Sequence, residues 1–314
     1  MSTAFEKDLV EAFGSERVGR RAPLASYTTF RVGGPADWLV ETRTSDEILL
    51  LLRIAARHGV SVTMLGGGSN VLVGDGGIRG LVIRPRGGAV GWVDDHHIRA
   101  DAAMTVNGLV RWMVLQGAAG LESWAGTPGT VGGAIFGNAH FNGQQIGDHV
   151  TGVRLAGRDG QPLDVPASEM GFAYDRSRLQ DTGEVLLDAT FAVGRGVPSA
   201  LRSTARASLA FRKRTQPLDT PSAGCVFQNP TRDRDRMPEG IPWSAGALVD
   251  CARLKGHTIG GASVSPIHGN FIVNLGTATA ADIRRLIQVC RAEVRERFGV
   301  DLREEIVYLG TFTD

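Results

Sequence analysis

Two glycine-rich turns, about sixty residues apart, constrain this chain more than any other feature. The first runs Leu65-Gly66-Gly67-Gly68-Ser69-Asn70-Val71-Leu72-Val73. The second runs Gly126-Thr127-Pro128-Gly129-Thr130-Val131-Gly132-Gly133-Ala134, with Asn138-Ala139 soon after. Glycine serves where no Cβ can be tolerated or where φ is positive. Successive backbone N–H groups in such turns form a concavity suited to an anion. The first turn is not a GxGxxG segment opening a helix, and it lacks the Lys-Ser/Thr of a phosphate-binding P-loop. Either turn alone could be only a tight connection. Together, flanked by aliphatic runs, they predict a backbone surface for a large, flat or phosphorylated cofactor.

Glycine accounts for 42 of the 314 residues, well above the usual ~7%. No collagen-like period accompanies it, so the glycines mark individual turns. With 42% hydrophobic and 21% charged residues, the chain can build a sizeable core, and its length allows two or three domains. A net charge of +1 argues against a general nucleic-acid-binding surface. The opening MSTAFEKDLVEAFG is too charged for a secretory signal, and no apolar run approaches ~18 residues. The expectation is a cytoplasmic protein without membrane insertion, a monomer or weak homodimer acting on a small molecule. The cysteines, Cys225, Cys251 and Cys290, make neither a disulfide framework nor a CxxC site. The seven histidines show no metal-ligand spacing; His140 and His268 fall in loops.

The pattern predicts a strand at 36–42 and a helix over 48–58, opened by a Thr44/Glu47 capping box and closed at Gly59. A second strand at 60–65 runs into the first glycine turn, and 81–84 closes an α/β unit. Strands are expected at 98–102, 150–156, 163–165 and 185–193, with a hairpin turn at Asp159-Gly160 and a helix over 106–116. A basic helix spans 201–214 and carries Arg212 and Arg214. A polar loop covers 217–230, a short helix 245–253, a strand 271–275, the most regular helix 279–298, and a last strand 306–309. The domain expectation is 1–87, 88–198 and 199–314. Cys290 lies on an apolar helix face and reads as core, and Cys251 reads as structural. Cys225 instead lies in Pro221-Ser222-Ala223-Gly224-Cys225-Val226-Phe227-Gln228-Asn229-Pro230, a polar loop of the kind that carries function. Glu305 is an acid entering an apolar strand, a less ordinary place than a solvated surface.

Taken in order from about Thr28 to Gly310, these motifs resemble the UDP-N-acetylenolpyruvoylglucosamine reductase family of flavoenzymes. Thr29-Phe30-Arg31-Val32-Gly33-Gly34-Pro35-Ala36 is similar to its opening signature. The two glycine turns are similar to its FAD loops, and Pro221–Pro230 to its proton-donor loop. Lys255-Gly256, Ile259–Ala262 and Asn270–Asn274 match as well, and Glu305 falls on its C-terminal catalytic glutamate. The resemblance implies an α+β fold: a two-part FAD-binding module of the vanillyl-alcohol-oxidase (PCMH) type plus a C-terminal α/β substrate domain. It implies FAD as cofactor and NADPH as reductant. Arg31, Gly66–Asn70, Gly126–Thr130, Gly132, Gly133, Ala134, Arg212 and Arg214 would hold FAD. Tyr174, Asp175, Gln228 and Asn229 would meet the substrate. Cys225, Glu305 and Arg176 would be catalytic. The flavin carries the hydride steps; the residues supply a stabilised enolate and a proton.

The departures are specific. Cys225 stands where the family usually has serine; a thiol is a far stronger acid than an alcohol and is mostly protonated at pH 7. Ala173-Tyr174-Asp175-Arg176-Ser177 replaces Tyr-Arg-x-Ser, so an aspartate occupies the position of an arginine that faces the enolpyruvyl group. Asn138-Ala139-His140-Phe141-Asn142-Gly143 replaces Asn-Ala-Gly-Ala-Tyr-Gly, and Ala247 stands where arginine is common. A related flavoenzyme with a different substrate is the alternative reading, and a non-catalytic flavin-binding module a third.

Overall fold

The computed structural model describes residues 4–141 and 143–312. The chain forms two compact units. One comprises the chain up to Ala22, Ala36–Gly67 and Arg79–Ala210; the other comprises Pro23–Pro35, Gly68–Ile78 and the chain from Phe211 onward.

The first unit is built on two sheets. The smaller has the strand order Val18–Pro23, Pro35–Thr42, Ile78–Pro85, Val62–Met64, with Val62–Met64 parallel to Leu81–Ile83. Helices Ala4–Phe13 and Ser45–Arg57 cover it. Phe5, Leu9 and Phe13 recur every four residues, which places them on one helix face, and all three are buried beside Leu51 and Leu52. Thr44 caps the second helix by accepting from the Glu47 amide at 3.2 Å. The Glu47 carboxylate does not close a reciprocal box; it accepts from the Arg43 amide and pairs with Arg17 at 2.8 Å.

The larger sheet is antiparallel, ordered Pro162–Pro166, Val150–Ala156, Val185–Ala192, His97–Asp101, Val90–Trp92. Helix Val106–Gln116 buries Val106, Leu109, Val110 and Met113 in the same core as Ile98, Trp124 and Phe191. Its Gly117 cap adopts φ +69°, as left-handed helix ends require.

The second unit centres on helix Ala280–Phe298. Its buried stripe Ile283, Leu286, Ile287, Cys290 and Val294 packs with Leu248, Val264 and Ile272. Thr279 and Asp282 form a capping box, and the carboxylate of Asp75 accepts from Ala280 and Ala281 N–H at 2.9 and 3.0 Å. Four backbone donors at a helix start have no internal partner, so Asp75 ties the 68–78 segment to this unit. The same segment contributes Val71–Val73, parallel to Val307–Leu309. Among the described residues no helix is long and apolar enough to cross a membrane.

Candidate active site

Within the first unit the two glycine turns meet backbone to backbone. A Cβ on Gly67 would lie 2.6 Å from Gly129 Cα, and one on Gly66 would lie 2.6 Å from Thr130 Oγ1. Side chains there would force the turns apart, so the absence of Cβ atoms is what lets them form one surface. The second turn is held from below. Asn107, on helix Val106–Gln116, accepts from Gly126 N at 2.7 Å and donates to Thr127 O at 3.1 Å. Val131 N and Gly132 N donate to Met104 O and Ala102 O. Thr130 caps the short helix Val131–Phe136 by accepting from Gly133 N; Ala134 is buried and Pro128 exposed. Asn107 escaped the sequence reading. Its signal is one amide-bearing residue in the first turn of an otherwise apolar helix.

A second cluster in this unit lies on the turn Ala173–Arg176, closed by two 3.1 Å backbone bonds between its end residues. Asp175 adopts φ +54°, a region that aspartate tolerates better than most residues. Its Oδ1 lies 3.0 Å from His140 Nδ1, and the Tyr174 hydroxyl lies 3.4 Å from His140 Nε2. The Tyr174 and His140 rings sit 4.7 Å apart. Arg176 is not in this cluster: its guanidinium reaches Asp181 at 2.8 Å, and both side chains are about 60% exposed.

Within the second unit the Cys225 loop is threaded between two backbone neighbours. Val226 N donates to Asn270 O, and Glu305 N donates to Val226 O at 2.7 Å. Gln228 N donates to Arg303 O, and Cys225 and Phe227 bridge Phe271 and Glu304. Asn270, 3% exposed, completes the clamp: its side chain accepts from Phe227 N at 2.9 Å and donates to Phe227 O at 2.7 Å. Cys225 and Glu305, 80 residues apart in the numbering, thus sit on adjoining, hydrogen-bonded segments. Asn70 joins the same edge, donating to Glu305 O at 3.3 Å and accepting from Val307 N. Gly68 fits because it has no Cβ and φ +64°; a Cβ would lie 2.1 Å from Tyr27 O.

Arg212 is buried at 6% exposure. Burial pushes its guanidinium down to about 10, while the Cys225 sulfur pulls the other way by favouring the cation. Arg212 therefore remains charged at neutral pH and favours the thiolate of Cys225. Arg31 and Arg214 are exposed, the latter 6.0 Å from the Phe211 ring. Gln228 is half-buried, and Asn229 spends its side-chain oxygen on Ala245 N. Cys290 lies in the core, and burial pushes its thiol up to about 12. Cys251 is exposed at the end of its helix, not packed as the sequence suggested.

A glycine cradle with no room for side chains, on an α+β unit of this architecture, suits a flavin dinucleotide. Residues 36–165 match the FAD binding domain family. Over 62% of this chain and 42% of its own, alkyldihydroxyacetonephosphate synthase has a similar fold, with 18% identity and a TM-score of 0.50. The chain therefore carries an FAD-binding domain with the PCMH-type fold.

Residues 216–309 match the C-terminal domain of UDP-N-acetylenolpyruvoylglucosamine reductase. UDP-N-acetylenolpyruvoylglucosamine reductase 2 of Symbiobacterium thermophilum is 39% identical over 94% of this chain and 92% of its own length. The reductase of Thermus caldophilus is 32% identical and superposes with a TM-score of 0.76, covering 93% of this chain and 99% of that one. The chain belongs to the UDP-N-acetylenolpyruvoylglucosamine reductase family.

Proposed function

We propose that this enzyme reduces the enolpyruvyl ether of UDP-N-acetylglucosamine with NADPH, giving the UDP-N-acetylmuramate used in peptidoglycan synthesis, in the cytoplasm. The observation that carries the reading is the 2.7 Å bond from Glu305 N to Val226 O, which sets an acidic thiol and a carboxylate on neighbouring segments. Bound FAD supplies a hydride acceptor and donor at N5. Hydride addition at the β-carbon of the enol ether leaves an enolate, and the remaining task is protonation of the α-carbon. Cys225 Sγ–H gives that proton, and the buried charge of Arg212 favours the thiolate left behind. Glu305 takes the role of the catalytic carboxylate beside it. The glycine turns Gly66–Gly67 and Gly126–Thr130 hold the cofactor through backbone groups, with Asn107 fixing their shape.

Cys225→Ala tests the assignment by half-reaction. Reduction of the flavin by NADPH should keep its rate, while the substrate half-reaction should slow by about 10²–10⁴, the usual worth of a general acid. Cys225→Ser should keep part of the rate. Full turnover in Cys225→Ala would remove the thiol from the mechanism.

A further inference from the structure

Asn270 clamps the Cys225 loop, and His268 in turn holds Asn270. The turn from His268 to Phe271 closes with Phe271 N donating to His268 O at 3.0 Å. Within it, Asn270 N donates to the ring nitrogen Nδ1 of His268 at 3.1 Å. Ser265, fully buried, anchors the entry: its hydroxyl oxygen accepts from Ile267 N at 3.1 Å and from His268 N at 3.4 Å. The half-buried ring packs edge-on against Phe271 with centroids 4.9 Å apart. It also lies close on helix Ala245–Cys251, where a Cβ on Gly246 would come within 2.9 Å of His268 Cε1.

A backbone N–H can only donate. The bond to Nδ1 therefore needs a lone pair on that nitrogen, so His268 is the neutral tautomer with its proton on Nε2. An imidazolium carries hydrogens on both nitrogens and would set Nδ1–H against Asn270 N–H. Burial holds the ring below its ordinary value, the Lys255 charge works in the same direction, and Asp250 and the residue's own carbonyl oppose them. Lys255 and Asp250 are the charged groups that face the ring, and they pair with each other at 2.6 Å. Asn270 is where this turn meets the chemistry. Val226 N donates to its backbone oxygen and Phe227 N to its side-chain oxygen, while Cys225 bridges Phe271.

We propose that His268 is a positioning residue for proton delivery: its unprotonated Nδ1 sets Asn270, Asn270 registers Cys225, and protonation of the ring releases the clamp. The proposal rests on the function proposed above. A ring that is neutral when the clamp is closed, and has its ordinary value of ~6.5 when it is open, takes up a proton on opening. Opening therefore grows as pH falls below ~6.5, by up to about tenfold per pH unit, and levels off below the folded value. The substrate half-reaction gains an acid limb from this opening, and flavin reduction by NADPH does not.

The experiment follows hydrogen exchange of the peptide spanning 225–229 in the oxidised holoenzyme from about pH 8 to about pH 5. His268→Asn puts a side-chain oxygen where Nδ1 was, able to accept from the N–H two residues on, and removes the titrating proton. Comparing the two proteins at each pH cancels the intrinsic exchange rate, which depends on the same 225–229 sequence in both. Protection in His268→Asn should match wild type within about twofold at pH 8, and wild type should lose protection faster below ~6.5. His268→Leu, which removes the acceptor, should lower protection by about 5- to 150-fold at every pH, the worth of a buried donor left unpaired. In stopped flow, the substrate half-reaction of wild type should slow below the same pH, and that of His268→Asn should not. If the leucine form does not fold, the asparagine comparison decides alone. A wild-type to His268→Asn ratio that stays flat down to pH 5, or wild-type protection in His268→Leu, would overturn the proposal. A wild-type enzyme that never reoxidises with the enol ether would instead overturn the function proposed above, and the exchange ratio would still decide whether His268 holds the clamp.

Discussion

Asn270→Ala is the sharpest probe of how the fold delivers its chemistry. The side chain makes two hydrogen bonds to one buried residue, accepting from Phe227 N at 2.9 Å and donating to Phe227 O at 2.7 Å. Phe227 is 1% exposed, so neither group has water as a ready substitute. Leaving a buried polar group unpaired costs about 1–3 kcal/mol, and two such groups set a range of about 2–6 kcal/mol. The backbone bond from Val226 N to Asn270 O survives the substitution, so the chain path itself persists. The cost should appear locally, as opening of the segment that carries Cys225. Hydrogen exchange of the peptide spanning 225–229 measures it directly. At the lower bound of about 2 kcal/mol, protection falls about thirtyfold, since 1.36 kcal/mol is a factor of ten. The substrate half-reaction should slow in the same variant, because Cys225 and Glu305 are registered through Val226, while flavin reduction by NADPH should not. Asp in place of Asn would still accept from Phe227 N but would set an oxygen against Phe227 O, and should rescue little. Exchange unchanged within about twofold would refute the clamp.

Two further outcomes follow from the geometry. Gly67→Ala drives a methyl to 2.6 Å from Gly129 Cα, whereas Gly91 has open space around it. Overpacking of about 1–3 kcal/mol should raise the Kd for FAD by about 5- to 150-fold in Gly67→Ala and leave Gly91→Ala at the wild-type value, measured by flavin fluorescence on reconstitution. At the start of helix Ala280–Phe298, a hydrogen bond from Thr279 holds the Asp282 carboxyl below its ordinary range, against desolvation. A lowered acid stabilises the fold above its unfolded pKa, near ~3.9, and that contribution is lost as pH falls through the folded value. Asp282→Asn should therefore cost about 0.3–1 kcal/mol, the usual worth of a charge at a helix start, at pH 5–8 in urea unfolding. The difference should start to shrink near the unfolded value of ~3.9 and vanish only at lower pH, below the folded value.

Much of the fold was legible because its patterns are local. Helix 106–116 and strand 150–156 were read with the bounds they have, since 3.6- and 2-residue periods are printed in the apolar positions. Helix Ala4–Phe13 is not among the predicted elements: Phe5, Leu9 and Phe13 carry the period, but charged residues between them keep the segment's apolar signal short. The path of residues 23–35 and 68–78 into the second unit could not be read at all. It depends on long-range partners such as Asp75 with Ala280 and Val71 with Val307, which no periodicity encodes. At the site, Cys225 and Glu305 stood out as reactive groups in unusual places. Their adjacency needed Asn270, whose amide looks like any loop polar residue until its burial is known. Arg176 shows the converse limit: its guanidinium pairs with Asp181, and the Asp175 side chain meets His140, 35 residues away in the chain, which no local pattern encodes.

The proposed reaction passes reducing equivalents from NADPH through FAD to the UDP-sugar enol ether. The direct test is to reduce the purified holoenzyme anaerobically with one equivalent of NADPH, add the enol ether, and follow the flavin band in a stopped-flow cell. Rapid, stoichiometric reoxidation is expected, with formation of a product two hydrogens heavier than the enol ether. A flavin that accepts the electrons from NADPH and stays reduced in the presence of the enol ether would contradict it.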